Sequence, residues 1–345
     1  MQGVVKYGLK DKNVELREMP EPVVRSEDAL VEVSAAGICG SDVEFWRHKI
    51  TFPINVPVIL GHEFCGIIRK VGADVKAFKV GDRIVSETSA EICGTCEFCR
   101  AGEYNLCPSR LGFGYGVNGA FTHYVRVPQR CLHHIPEHLS FKHAAMTEPA
   151  CVAYNAVCVQ SRVMPGELVV VLGAGTIGLL SALMARISGA EVLITGLSVD
   201  TKRLAIAKSI GIDHRVVADR EDVVKQVMRL TDGVGAPLVI DAVGIPEVTR
   251  QAMAIIRRNG QITKLGWGGE PYDATLDPLV AKAVRLQGSF SHTWRTWENC
   301  IKLLASGRLP ADKFITHEFP LVDWEEAFTL VENRHALKVI FHPKA

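Results

Sequence analysis

The chain has 345 residues, 48% of them hydrophobic, with 39 basic and 38 acidic side chains and a formal net charge of +1. That length exceeds one ordinary core and predicts two domains. The charges form no long runs of one sign, which excludes nucleic acid or an anionic membrane as the main partner. The longest apolar stretch, residues 167–194, is broken by glycines and reads as a strand and a helix rather than a membrane span.

The opening MQGVVKYGLKDKNVELREMP alternates like a strand and lacks the continuous apolar core of an export signal, so a cytoplasmic protein is expected. Up to about residue 150, strand-like runs cut by turn residues predict a β-rich domain: DALVEVSAAGIC (28–39), FCGIIRKVG (64–72), GDRIVS (81–86) and GAFTHYVRVP (119–128). Within it, EICGTCEFCRAGEYNLCPSR (91–110) gathers Cys93, Cys96, Cys99 and Cys107, four of the chain's ten cysteines. In a reducing compartment such a cluster holds metal or does redox chemistry. Two C-x-x-C steps and the excursion RAGEYNL supply the four thiolates of a closed tetrahedral zinc, which fastens a loop and catalyses nothing. Scattered core thiols or a redox pair fit less well, because four thiols lie in a glycine- and charge-rich loop and not two at a helix start.

From Leu168 the rhythm changes to strands alternating with amphipathic helices. Strands are expected at Leu168–Leu172, Val192–Thr195, 214–218, 237–244, 261–267 and 284–290. Helices are expected between them: one to Ser188, one at about Thr201–Ile210, then 221–230 and 246–258. Strict alternation implies right-handed crossovers and a doubly wound parallel sheet, over 153–292. The tail offers two helices, 296–306 and 324–333, and a strand, 338–342. It is expected to rejoin the first domain, which then comprises 1–152 and 293–345.

VVVLGAGTIGLL sets Gly173, Gly175 and Gly178 as G-x-G-x-x-G between a strand and a helix, with Thr176 and Ile177 opening that helix. This is the context in which backbone N–H groups and a helix N-terminus receive a pyrophosphate, so a dinucleotide is expected. The acidic residue that takes the ribose hydroxyls should follow about twenty residues on. Gly196 stands there, while Ser198, Lys202 and Arg203 follow closely. That arrangement favours NADP, with NAD the alternative through Asp200.

C-G-S-D (39–42), G-H-E (61–63), the four-cysteine lobe, T-E-P (147–149), V-L-G-A-G-x-I-G (171–178) and K-L-G-W (264–267) occur in one order over essentially the whole chain. Together they resemble the zinc-containing medium-chain alcohol and polyol dehydrogenases, most of all the sorbitol and threonine dehydrogenase branch. The resemblance implies a GroES-like catalytic domain and a Rossmann dinucleotide domain, an α/β fold. It implies a second, catalytic zinc near Cys39, His62 and Glu148, with Glu63 as an exchangeable ligand. A cation there lowers the pKa of an alcohol and makes its carbinol carbon a better hydride donor.

By the same resemblance Ser41 relays the alcohol proton, and Leu265, Gly266 and Trp267 flank the nicotinamide, although Trp267 reads equally as a core aromatic. The family's outer relay histidine is replaced by Glu44, so Glu44 or nearby His48 takes that place. GSFSHTWRTW puts Ser291 and His292 where sorbitol-type enzymes carry Arg and Tyr, which argues against sorbitol itself. His292 with Trp294, Phe45 and Trp46 is expected to shape a pocket for another sugar alcohol or sugar acid. The implied reaction is reversible NAD(P)-linked oxidation of a secondary alcohol by a homodimer or homotetramer. A zinc-independent enoyl or quinone reductase keeps the dinucleotide turn but has no use for the ligand set, and a non-catalytic redox-sensing or nucleic-acid-binding zinc protein explains the thiol cluster but wants a basic face that the charge balance does not suggest.

Overall fold

The computed structural model describes residues 1–343. Two compact units divide the chain: residues 1–148 with the described residues from His292 onward, and Pro149–Ser291.

The first unit is built on a seven-stranded sheet. Its order is Ile315–Pro320, Lys338–His342, Asp28–Gly37, Glu63–Val71, Arg83–Ser86 and Leu132–His134, with Tyr124–Pro128 also on Asp28–Gly37. Asp28–Gly37 is buried along almost its whole length because Glu63–Val71 and Tyr124–Pro128 pair along it and Lys338–His342 meets its end. A small sheet of Val14–Glu18, Gln2–Lys6 and Val58–Ile59 completes the β-rich part. One core holds both ends of the chain together, with Phe64, Phe113 and Phe121 beside Trp324, Phe328 and Phe341. Helices are more numerous here than expected: Gly40–Trp46 and Phe141–Ala144 lie in this unit, and Thr147–Tyr154 begins in it and carries Glu148 on its first turn. Gly40–Trp46 is too short for periodicity to reveal. It starts because Asp42 folds back to accept the Cys39 N–H at 2.9 Å.

The second unit is a six-stranded, wholly parallel sheet. Its order is His214–Val217, Glu191–Gly196, Leu168–Leu172, Ala236–Asp241, Ile256–Lys264 and Arg285–Gly288. By position in the chain this is 3-2-1-4-5-6, the dinucleotide-binding order, with its switch point beside Leu168–Leu172. Strand Leu168–Leu172 is fully buried, as a central strand covered on both faces must be. The helix expected over 246–258 stops at Ile255. Ile256 is already extended and pairs with Ala236, and Asn259, at φ 55°, turns the chain before Gln261 rejoins the ladder against Leu238. No helix among the described residues is long and apolar enough to cross a membrane.

Candidate active site and metal centres

Among the described residues, Cys39, His62 and Glu63 bring one ligand atom each within 4.8 Å of one another. Cys39 caps helix Gly40–Trp46, Glu63 opens strand Glu63–Val71 and His62 immediately precedes it. Gly37 lies opposite Glu63, and a Cβ there would stand 2.2 Å from the Glu63 Oε2. Only glycine leaves that carboxylate room.

The electrostatics suit a cation. Burial opposes charge on His62, but Asp42 holds its pKa well above the ordinary value. A pocket negative enough to protonate a buried imidazole would equally attract a metal. His62 Nδ1 and Asp42 Oδ1 face each other at 3.6 Å, beyond hydrogen-bond range, and neither has another partner. Two complementary buried atoms left unpaired fit an imidazole whose final position is set by a ligand bond on its other nitrogen.

Glu148 is not in that cluster. Its Oε1 accepts from His292 Nε2 at 3.1 Å, and His292 Nδ1 accepts from the Trp297 indole at 2.8 Å. An indole N–H only donates, so Nδ1 carries no proton and the ring's proton sits on Nε2, aimed at Glu148. Burial works against ionisation of Glu148, but the His292 hydrogen bond together with the charges of His62 and Lys338 outweighs it, and the carboxyl lies below its ordinary value. Glu63 also has a partner that sequence reasoning missed. Lys338 Nζ donates to both Glu63 oxygens, at 2.8 and 2.7 Å, and to the Ile38 carbonyl at 2.9 Å. Burial draws the ammonium down, and the acidic groups around it, Glu63 foremost, together more than restore it, so Lys338 lies above its ordinary value. Glu63 is thus within reach of a cation and held by a clamp, whereas Glu148 stands beside, steered by His292.

Ser41 lies half-buried on the first turn after Cys39. Glu44 and His48 are both exposed, His48 just past the helix end at φ 51°. The expected aromatic pocket does not form from Phe45 and Trp46. Phe45 is 1% exposed against Phe52 and Tyr115, and Trp46 is 2% exposed against Trp324 and Phe328, so both are core residues. His292, buried with both nitrogens committed, is a support and not a pocket wall.

The four cysteines of the lobe meet as expected from their spacing. Cys93 Sγ lies 3.6 Å from Cys107 Sγ and 4.0 Å from Cys99 Sγ, and all four sulfurs fall within 4.8 Å. A tetrahedron of ~2.3 Å zinc–sulfur bonds has edges of about 3.8 Å. Backbone N–H groups of Cys93, Cys96 and Cys99 each point at a sulfur at 3.4 Å. Such donors from Thr95 and Cys96 bring Cys93 down to about 6, while desolvation and its sulfur neighbours push Cys99 up to about 12. Four thiolates this close need a cation. Tyr104, inside the lobe, donates to Glu87 at 2.7 Å and accepts from the Trp294 N–H at 2.5 Å. Buried His133 joins Glu87 to Glu298, at 3.1 and 2.7 Å.

In the second unit, Gly173 turns at φ 105°, and a Cβ on Gly178 would lie 1.9 Å from the Gly173 carbonyl. A Cβ on Gly175 would meet nothing within 4 Å. The turn therefore leaves an open face at the N-terminus of helix Thr176–Ile187, suited to a pyrophosphate. Leu265 and Gly266 both donate to the Asp241 carbonyl at 3.0 Å, just past their strand, and Trp267 is 62% exposed rather than a core aromatic. Lys202 is exposed, and Arg203 faces Asp200 at 3.4 Å. Ser198 is not open for a phosphate. Its N–H donates to Asp219 Oδ1 at 2.7 Å and its hydroxyl to Oδ2.

A closed four-cysteine lobe, a second ligand cluster on a β-rich unit and a 3-2-1-4-5-6 sheet define a zinc-type, dinucleotide-linked dehydrogenase. Residues 25–137 match the alcohol dehydrogenase GroES-like domain and residues 176–306 the zinc-binding dehydrogenase family, so the chain belongs to the zinc-binding alcohol dehydrogenases. It is 36% identical over 344 residues to a sorbitol dehydrogenase of Halalkalibacterium halodurans, covering 99% of each chain. It is 36% identical to a D-arabitol-phosphate dehydrogenase of Enterococcus avium, covering 99% of this chain and 97% of that one. A zinc-binding dehydrogenase from Sinorhizobium meliloti 1021, bound to NADP, superposes with a TM-score of 0.91 at 29% identity over 99% of each chain.

Proposed function

We propose that the protein is a zinc-dependent, NAD(P)-linked dehydrogenase that oxidises a secondary hydroxyl of a sugar alcohol or sugar acid to a ketone, reversibly. The observation that carries this reading is the Cys39, His62 and Glu63 cluster in a chain that also holds the glycine turn. Zinc held there would supply Lewis-acid polarisation of the substrate oxygen, and the nicotinamide would accept the hydride. The chain's own groups then have separate tasks. Cys39 and His62 hold the metal, with Asp42 orienting His62. Glu63 is available as a ligand to the extent that Lys338 releases it, and Glu148 presents a carboxylate fixed by His292. Ser41, beside Cys39, relays the hydroxyl proton, accepting it as it passes its own towards the ribose and solvent, while carbon loses the hydride. The four-cysteine lobe holds its zinc for structure alone.

An exposed edge strand, Arg285–Gly288, with Leu276, Val280 and Leu286 at the surface, supports assembly as a homodimer or homotetramer. A thiol cluster arranged to hold metal rather than to cross-link the chain supports a reducing, cytoplasmic setting. The test is zinc analysis together with a panel of sugar alcohols, sugar acids and polyol phosphates assayed with NAD and NADP. About two zinc per chain and turnover of a polyol, lost in Cys39→Ser, is the expected result. Turnover of an enoyl or quinone substrate by metal-stripped protein would overturn it.

A further inference from the structure

We propose that Asp219, held in place by Ser198, is the carboxylate that receives the adenosine ribose hydroxyls, and that it makes this enzyme prefer NAD over NADP. The inference rests on the dinucleotide reading above. In a sheet of this order the ribose lies at the carboxyl end of the second strand, where an acidic side chain takes its hydroxyls. The second strand here ends at Gly196, which has no side chain and little room for one. A Cβ at that position would stand 3.1 Å from Ala174 Cβ, 3.2 Å from Leu204 Cδ2 and 3.3 Å from Asp200 Cβ.

Asp200 does not fill the role. It is 7% exposed, its Oδ2 accepts the Leu197 N–H at 3.0 Å and its Oδ1 faces Arg203, so it is occupied in turning the chain into the next helix. The missing charge arrives from the third strand instead. Gly196 pairs with Val217, and the Ala218 N–H donates to the Gly196 carbonyl at 2.8 Å. Asp219 is the next residue, exposed, beside the point where the second strand ends. Its two oxygens each take one donor from Ser198. The Ser198 hydroxyl is the first cause that keeps this carboxyl below its ordinary value, so it is an anion at neutral pH.

A carboxylate has about four acceptor directions. Two are used here, which leaves capacity for a ribose diol. The same anion repels a 2′-phosphate, and the neighbouring cations do not cancel it. Arg203 is turned to Asp200, while Lys202 and Arg220 are exposed to solvent screening. Ser198, which a phosphate would need as a donor, points both its groups at Asp219.

The test is fluorescence titration of NADH and NADPH into the whole enzyme, with Asp219→Asn and Ser198→Ala beside it. We expect the native enzyme to bind NADH about 100-fold more tightly than NADPH. Asp219→Asn should bring the ratio of the two dissociation constants near unity, with an unchanged melting temperature because the side chain is exposed. Ser198→Ala, which frees the carboxylate to move, should reduce the ratio partway. Equal or tighter binding of NADPH to the native enzyme, or a ratio unchanged in Asp219→Asn, would overturn the assignment while leaving the dinucleotide reading intact. Binding of neither nucleotide would overturn both.

Discussion

Lys338→Met tests the clamp on Glu63 with a side chain of similar length and no charge. In the native protein the Lys338 and Glu63 side chains are 3% and 1% exposed, and the ammonium makes three hydrogen bonds of 2.7 to 2.9 Å. Removing one partner of a buried pair leaves the other uncompensated and costs about 3–5 kcal/mol. At 1.36 kcal/mol for each factor of ten, a loss of about 4 kcal/mol is nearly three powers of ten in the folded-to-unfolded ratio. The loss should be larger in chelator-treated protein than in zinc-loaded protein, where a second cation faces Glu63. Denaturant unfolding followed by tryptophan fluorescence reads this directly, since Trp46, Trp294, Trp297 and Trp324 lie in the unit concerned and only Trp267 does not. Glu63→Gln/Lys338→Met, which removes both charges, should recover at least half of the deficit. A single variant that loses less than about 1 kcal/mol, or a double variant as unstable as the single one, would refute this account of the pair.

Four further variants probe the supports of the site, the cysteine lobe and one ion pair. His292→Phe removes the hydrogen-bond donor that fixes Glu148, so zinc should pass to a competing chelator about 10-fold faster. Trp297→Phe, which frees His292 Nδ1 to change tautomer, should fall between. Cys96→Ser should lower the zinc content from about two to about one per chain and depress the melting temperature, with kcat at saturating substrate changed much less. Glu332→Gln tests a pH dependence. Arg47 binds both Glu332 oxygens and holds that carboxyl below its ordinary 4.5. A depressed carboxyl stabilises above its unfolded value and loses the contribution as pH falls through the folded one. The variant should therefore be about 0.5–1 kcal/mol less stable at pH 7 and indistinguishable from native in acid unfolding well below pH 4.5.

Periodicity made the parallel sheet legible, because its strands are buried apolar runs and its helices are amphipathic over two or more turns. It failed where signals are short or mixed. Gly40–Trp46 is seven residues long, and Ile255–Ile256 serves equally as helix end and strand start. The cysteine lobe was legible because its ligands are adjacent in sequence. Cys39, His62 and Glu63 needed a family likeness to be grouped, and their partners were hidden for a simple reason. Lys338 and Glu63 are 275 residues apart, His292 and Glu148 are 144 apart, and one lysine or histidine among many carries no mark of its partner. Trp46 misled because an aromatic near a site is indistinguishable, in sequence, from one that fills a core. Asp219 is hidden in sequence because it follows the third strand, whereas the dinucleotide fingerprint places its carboxylate at the end of the second.

Tyr104 gives the thiol-rich loop a reach beyond its own metal. It receives the Trp294 amide two residues from His292, and through Glu87 and His133 it is tied to Glu298, on the same helix as Trp297. The foundation under one cation therefore rests partly on the ground prepared by the other. Stripping the lobe would be felt as a slackening of Glu148, many residues from any lost sulfur.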